Sequence, residues 1–203
     1  MINSCNLSRP QLRRVLRQTR QQLSPLQQRQ AALGLYRTLA QHPLFRRSKH
    51  IAFYLAADGE IDPKHLLTAA QKRGKQCYLP VLAKWPKQRM SFQKLVPGQA
   101  LRPNRFGIAE PASNRKQQRQ PWALSLILMP LVGFDEHGGR LGMGGGFYDR
   151  RLSYLQRRQY WQRPTLLGLA HECQKVDRLA LAHWDVRVQG CATEQRLYPP
   201  LSV

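Results

Sequence analysis

The sequence predicts an α/β protein, a three-layer α/β/α sandwich around a mainly parallel central sheet. Three observations predict it. Helical stretches alternate with short apolar runs along the chain. The run 124–129 is apolar almost throughout, as expected of a strand buried on both faces of a parallel sheet. A glycine-rich loop sits between that run and a helix, the strand-end position where open α/β sheets bind ligands.

The elements follow in order. Residues 9–22 read as a basic helix with a narrow apolar stripe of Leu12, Val15 and Leu16, which Leu23 continues. At 24–27, Ser24 can cap a second helix, Pro25 suits its first position and Gln27 completes a capping box, with the helix running to about 41. Residues 50–55 form a β-type run. Asp62 and Pro63 open another helix, and Gly74 ends it. Residues 77–81 and 90–95 read as strands. The stretch 97–121, rich in Pro, Asn, Arg and Gln, reads as a long excursion with little regular structure. After strand 124–129 and the glycine loop, a helix over 145–159 places Tyr148, Leu152 and Leu155 on one face. Strands at 165–170 and 186–191 complete the pattern. With no repeat and no clear linker, the expectation is one domain over 1–203, with helix 9–22 packed onto it.

Composition sets the limits. Of 203 residues, 42% are hydrophobic, which supports a real core and excludes a disordered chain. The longest apolar run, 123–134, is broken by Ser125, Pro130 and Gly133 and falls short of the roughly 20 residues of a membrane helix. The amino terminus is polar and soon basic, unlike a signal peptide, so a cytoplasmic location without membrane attachment is expected. Cys5, Cys77, Cys173 and Cys191 lack metal or redox spacing and read as buried free thiols. Lys and Arg number 33 against 11 Asp and Glu, a formal net charge of +22. That excess attracts polyanions without specifying a site: nucleic acid, nucleotide phosphates and a polycarboxylate substrate all qualify.

The glycine loop carries the chemistry. GFDEHGGRLGMGGGFYD spans 133–149. Glycines let main-chain N–H groups approach an anion, the helix N-terminus adds partial positive charge, and Arg140 adds a forked cation. Together they describe a phosphate cradle; the alternative is a turn that only lets elements pack. No Gly-Lys-Ser or Gly-Lys-Thr is present, so this is not a Walker A loop. Phe147 occupies the third glycine site of a dinucleotide fingerprint. Asp149, in the first helical turn, suits either the helix dipole or a Mg²⁺ ion.

These residues resemble a known family. RLGMGGGFYDR at 140–150, preceded by MPLVGFD at 129–135, resembles the signature of 5-formyltetrahydrofolate cyclo-ligases, also called methenyltetrahydrofolate synthetases. AFYLAADGEID at 52–62, YLPV at 78–81, NRFGIAEP at 104–111 and Trp184-Asp185 are similar to further family segments, so the resemblance spans about 9–194. It implies an α/β/α sandwich and an ATP- and Mg²⁺-dependent ring closure of 5-formyltetrahydrofolate to 5,10-methenyltetrahydrofolate. By the same resemblance Arg140 and Tyr148 are catalytic. Arg9, Arg13, Arg140, Leu141, Gly142, Met143, Gly144, Gly145, Gly146, Phe147 and Tyr148 bind ATP. Leu55, Glu60 and Phe106, with Met143 to Phe147, line the folate side, and Asp149 and Asp185 are associated with Mg²⁺. The partners implied are ATP and a reduced folate, including polyglutamylated forms, for a monomer with no specific nucleic acid. Two departures stand out. Arg9 replaces the family's Lys, and Val188-Gln189 replaces a Leu-Asp pair after the site aspartate.

Other residues are left aside. His137 reads as solvent-facing and His171 as a lone histidine after a buried strand. Ser24, Ser125 and Ser153 have no nucleophile-elbow context. Asp135 suits loop ordering as well as catalysis. Two competing functions remain. A nucleic-acid-binding protein on an α/β fold predicts basic residues on one face with aromatic platforms, whereas here they are spread along the chain. A sugar-phosphate enzyme predicts an acid–base pair at strand ends, which the sequence does not display.

Overall fold

The central strands are buried on both faces, and successive side chains join opposite core clusters, which builds the layers. The computed structural model describes residues 7–83, 85, 89–157 and 164–198. In chain order it contains α1 (Arg9–Gln21), α2 (Pro25–Leu39), α3 (Pro43–Arg47), β1 (His50–Ala52), α4 (Lys64–Lys72), β2 (Gln76–Leu82) and β3 (Met90–Lys94). There follow β4 (Leu101–Pro103), β5 (Ala109–Pro111), β6 (Gln118–Arg119), β7 (Leu126–Pro130), β8 (Gly133–Phe134) and β9 (Arg140–Leu141). The chain continues through α5 (Phe147–Leu152), α6 (Tyr154–Arg157), β10 (Thr165–Leu169), β11 (Gly190–Ala192) and β12 (Leu197–Tyr198).

Among the described residues, one sheet has the order β12-β11-β10-β7-β1-β2-β3-β6. Its centre, β11-β10-β7-β1-β2, is parallel, and the edges β12, β3 and β6 are antiparallel. The mainly parallel sheet expected from the sequence is therefore present. Ile51, Cys77, Leu79, Leu126, Leu128, Leu167 and Leu169 face one core cluster with α2, α3 and α4. Their neighbours Ala52, Tyr78, Ile127, Met129 and Leu166 face another, with Leu152 and Leu155 from α5 and α6. Period-two side-chain alternation puts successive residues on opposite faces. A third cluster seats Leu12 and Leu16 of α1 on Val132, Leu141, Val176 and Leu179.

Local chemistry sets the helix boundaries. The Ser24 side chain accepts the Gln27 N–H at 3.2 Å, while Gln27 Oε1 accepts the Ser24 N–H at 2.8 Å. This is the reciprocal cap expected from the sequence. After α4, Gly74 takes φ 68° and turns the chain toward β2.

Several boundaries differ from expectation. The first strand stops at Ala52 rather than running to 55, and the chain leaves the sheet to carry Leu55 outward. The helix expected over 145–159 starts at Phe147, because Gly144 and Gly146 hold φ of 93° and 61°. It also breaks at Ser153, and positions 158 and 159 lie outside the described residues. The last strand begins at Gly190, not 186: Gln189 Oε1 takes the Leu166 N–H at 2.6 Å, so a side chain replaces the first ladder acceptor. The 97–121 excursion is more ordered than composition suggested, holding the β4–β5 pair and the edge strand β6. Cys77 and Cys191 are buried free thiols, Cys173 is half-buried and free, and Cys5 lies outside the described residues.

Gly34 lies within α2, where propensity alone favours alanine by about 1 kcal/mol. A Cβ there would fall 2.6 Å from the main-chain oxygen of Glu194, which cannot swing aside. Gly34→Ala should therefore destabilise the fold, by about 1–3 kcal/mol as overpacking does. A chemical denaturation midpoint that is unchanged or raised would refute this account of how α2 meets the sheet.

Candidate active site

The carboxyl ends of β1, β2 and β7 open into a cleft of about 1260 Å³. Helix α1 forms its basic wall. Arg9, Arg13 and Arg17 recur every four residues, so they share one helix face, and all three line the cleft. The neighbouring stripe of Leu12, Leu16 and Arg20 is buried. One short helix thus presents cations on one face and anchors itself with the next.

The glycine loop forms the second wall. Asp135 anchors it: Oδ1 accepts the N–H groups of His137 and Gly139 at 2.9 and 2.7 Å, and Oδ2 accepts that of Leu179 at 2.9 Å. These bonds give Asp135 the loop-ordering role. Arg13 Nε donates to the Gly142 carbonyl at 2.8 Å, and Arg150 donates to that of Gly145. The positive φ of Gly144 and Gly146 shapes the main chain just before the first turn of α5.

Arg140 is buried where this wall meets the 182–186 segment. Its Nε donates to the Val186 carbonyl at 2.6 Å and its Nη2 donates to Asp149 Oδ1. Burial pulls its pKa below the ordinary guanidinium value, while Asp149 and Asp185 act in the opposite sense. Asp185 accepts from Arg9 at 2.5 Å and from the Ala182 N–H at 2.8 Å. Burial works to raise the Asp185 pKa, but Arg9 and the Ala182 bond, with the Arg140 charge, outweigh it and hold it low. Burial also lowers the Arg13 pKa, with Arg9 adding to the shift and Asp185 opposing it.

The third wall is the turn after β1. Glu60 Oε2 accepts the Ala57 N–H at 3.2 Å. Burial raises its pKa to about 7, against the pull of the Ala57 bond and the Arg20 charge. Tyr148 faces the same space. Burial and the Glu60 charge push its phenol well up, so it is a neutral hydroxyl donor and not a base. Phe106 stands 58% exposed, on a turn that Asn104 Oδ1 builds by accepting the N–H groups of Phe106 and Ile108 at 2.8 and 3.2 Å. Its ring meets Phe147 edge-on at 6.2 Å between centroids.

The cleft therefore gathers Arg9, Arg13, Leu55, Glu60, Phe106, Arg140, Gly142 to Phe147, Tyr148, Asp149 and Asp185. Leu141 is the exception. It is buried under α1, because alternation in β9 turns its side chain from the cleft toward Leu12 and Leu16. Gln189, a departure from the family pattern, is taken up by the Leu166 N–H and does not line the cleft. Sequence reasoning missed Arg17, Asp58, Tyr54, Arg150 and Trp184, which also line it. Arg17 was legible as the next residue in the Arg9–Arg13 spacing. Trp184, 60% exposed, had no periodic signal.

Among the described residues, no three His, Cys, Asp or Glu side chains assemble into a metal site. Asp149 and Asp185 are adjacent through Val186, whose N–H reaches Asp149 Oδ1 at 3.2 Å. Two hard oxygen donors suit Mg²⁺, which takes one or two carboxylates and completes its shell from phosphate and water. The donor set therefore fits that ion.

Comparisons with known proteins bear on this geometry. The sequence matches the model of the 5-formyltetrahydrofolate cyclo-ligase family over residues 6–194. It is 40% identical over 184 residues to the 5-formyltetrahydrofolate cyclo-ligase of Haemophilus influenzae, covering 88% of this chain and 93% of that one. It is 34% identical over 184 residues to that of Escherichia coli, covering 91% of this chain and 99% of the relative. The fold is similar to the solution structure of Aquifex aeolicus 5,10-methenyltetrahydrofolate synthetase, with a TM-score of 0.79, 28% identity and coverage of 95% and 93%. With its glycine loop, acidic turn and basic helix facing one cleft, the chain belongs to the 5-formyltetrahydrofolate cyclo-ligase family.

Proposed function

We propose that this protein closes 5-formyltetrahydrofolate to 5,10-methenyltetrahydrofolate, consuming ATP and releasing ADP and phosphate. The observation that carries the reading is the convergence of the α1 arginines, the glycine loop and Glu60 on one cleft. In this reading the formyl oxygen attacks the γ-phosphorus of ATP and ADP leaves. The folate N10 then attacks the activated formyl carbon and gives up its proton, and the C–O bond breaks to release phosphate. Phosphoryl transfer asks mainly for alignment and charge neutralisation.

The chain's residues supply both. Arg9, Arg13 and Arg140 face the triphosphate with the main-chain N–H groups of the glycine loop. Tyr148 donates its hydroxyl near the transferring group. Glu60 accepts the adjacent N–H donors of the pterin edge, Leu55 packs beside it and Phe106 offers a ring face. When bound at Asp149 and Asp185, Mg²⁺ neutralises phosphate charge. Arg9 and Arg140 already occupy these carboxylates, so they exchange partners as nucleotide enters. We place this activity in a cytoplasmic monomer folded as one domain. Among the described residues, no helix is long and apolar enough to cross a membrane.

A second groove, of about 1400 Å³, adjoins the cleft and shares Leu82, Met90 and Arg150 with it. Arg89, Arg102, Arg115, Arg150 and Arg151 line it with Trp85. In our reading it receives the carboxylates of a polyglutamyl folate tail.

Three outcomes are expected. Purified protein with 5-formyltetrahydrofolate, Mg²⁺ and ATP should generate the near-ultraviolet absorbance of the methenyl product; Arg140→Lys and Asp149→Asn should each lower kcat by about 10²–10³. Full turnover in both variants would remove this site assignment. Since kcat/KM reports the free enzyme, its value for the folate should fall as pH drops through about 7, where Glu60 gains a proton and loses its charge. Glu60→Gln should flatten that acidic limb, and a limb that persists would exclude Glu60. At low salt the triglutamate should show a KM several-fold below the monoglutamate, with the difference shrinking in high salt as screening predicts. Equal KM values at low salt would refute the groove's role.

A further inference from the structure

Arg20 is the unexplained residue of α1. It lies at the spacing of Leu12 and Leu16 on the buried stripe, and its side chain has 0% exposure. An apolar residue would pack there without the desolvation that a buried guanidinium suffers. Its bonds show what it does instead. Nε donates to the Asp58 carbonyl at 2.9 Å, Nη2 to Asp58 Oδ2 at 2.7 Å and Nη1 to the Leu131 carbonyl at 3.2 Å. Met143 Sδ, in the glycine loop, lies 3.9 Å from Nη2.

The grip falls on an unusual piece of backbone. Asp58 has φ 52°, the positive-φ non-glycine residue among those described, and Gly59 follows at 74°. Left-handed conformations at non-glycine residues persist where their surroundings over-determine them. Here Arg17 Nε donates to Asp58 Oδ2 at 2.8 Å, Gln21 donates to Oδ1, and His171 Nε2 lies 3.1 Å from the Gly59 carbonyl. His171, left aside in the sequence, is buried, and burial lowers its pKa to about 4, so the neutral ring donates from Nε2. Two residues in left-handed conformation return the chain so that the Glu60 N–H meets the Ala57 carbonyl at 2.9 Å. Glu60 is thereby aimed into the cleft.

We propose that Arg20, through Asp58, is a positioning residue that locks the 57–60 turn and so sets Glu60 against the pterin edge of the substrate. The inference rests on the folate reading of the cleft. Its mark is selective: the lock serves the folate wall, so losing it should weaken folate binding and spare the nucleotide. A role confined to holding the fold together would lower thermal stability and affect both substrates alike.

The test compares the parent chain with Arg20→Lys, which retains charge but loses the fork, and Asp58→Asn, which retains size. Asp58 is 26% exposed and asparagine tolerates a positive φ, so Asp58→Asn is the milder substitution and tests the lock separately from the buried one. In each, KM for 5-formyltetrahydrofolate should rise about tenfold, with KM for ATP and kcat within about twofold. The effects of the two substitutions should be less than additive in the double variant, because both disrupt the same Arg20–Asp58 Oδ2 bond. Unchanged folate KM in Asp58→Asn, or equal rises for folate and ATP, would overturn the inference. A parent chain that forms no methenyl product would instead overturn the folate reading beneath it.

Discussion

Helix α1 is held over the open end of the sheet by guanidinium groups that find acceptors on three separate segments. Arg9 reaches Asp185, Arg13 reaches the Gly142 carbonyl, and Arg17 and Arg20 reach Asp58. Each segment lines the cleft. The apolar contribution of the helix is narrow: Leu12 and Leu16 are its buried hydrophobic residues. Position and orientation therefore depend on directional, charge-assisted bonds, whose geometry is more restrictive than apolar contact. Arg9 and Arg13 fix the part of the helix beside Asp185 and the glycine loop, and Arg17 and Arg20 fix the part that meets the 57–60 turn.

The same bonds organise the charge. The chain carries 33 Lys and Arg and 11 Asp and Glu. Asp58, Asp149 and Asp185, all in the cleft, are each bonded to an arginine. Unpaired carboxylates in a cleft walled by arginines would oppose their positive potential unless neutralised. Pairing with Arg9, Arg17, Arg20 and Arg140 removes that opposition. Glu60 is different: burial raises its pKa, and among the described residues no arginine bonds it directly. Asp58 sits at the other extreme. Arg17 holds its pKa at about 2 against the desolvation that opposes it, with Arg20 and Gln21 adding to the fall. A depressed carboxylate stabilises the fold above its ordinary titration near pH 4 and loses that contribution as pH falls toward 2. The α1 lock is thus intact throughout the neutral range.

Much of this was legible from local chemistry. The Ser24 cap, the Gly74 stop and the apolar run at 124–129 each rest on interactions within a few residues. The glycine loop was legible because few residues tolerate its backbone. What escaped was decided by partners far along the chain. Strand β1 stops at Ala52 although apolar residues continue beyond it, and β11 starts late because Gln189 replaces a ladder bond with its side chain. The 97–121 stretch looked irregular because its short strands pair across turns built by side chains such as Asn104. Leu141 was grouped with its glycine neighbours, yet strand alternation turned it inward.

By itself the sequence determined the fold class, the glycine-rich loop of residues 140–149 at the end of a buried strand and the kinship with one enzyme family. These are properties of period, of glycine placement and of a long ordered motif. Tertiary structure alone decided that Arg20 is a buried clamp while Arg17, three positions earlier, lines the cleft. It also decided that Asp58 takes a left-handed conformation and that Glu60 titrates near neutrality. Those outcomes depend on desolvation and on bonds between residues far apart in the chain, and no local pattern encodes them.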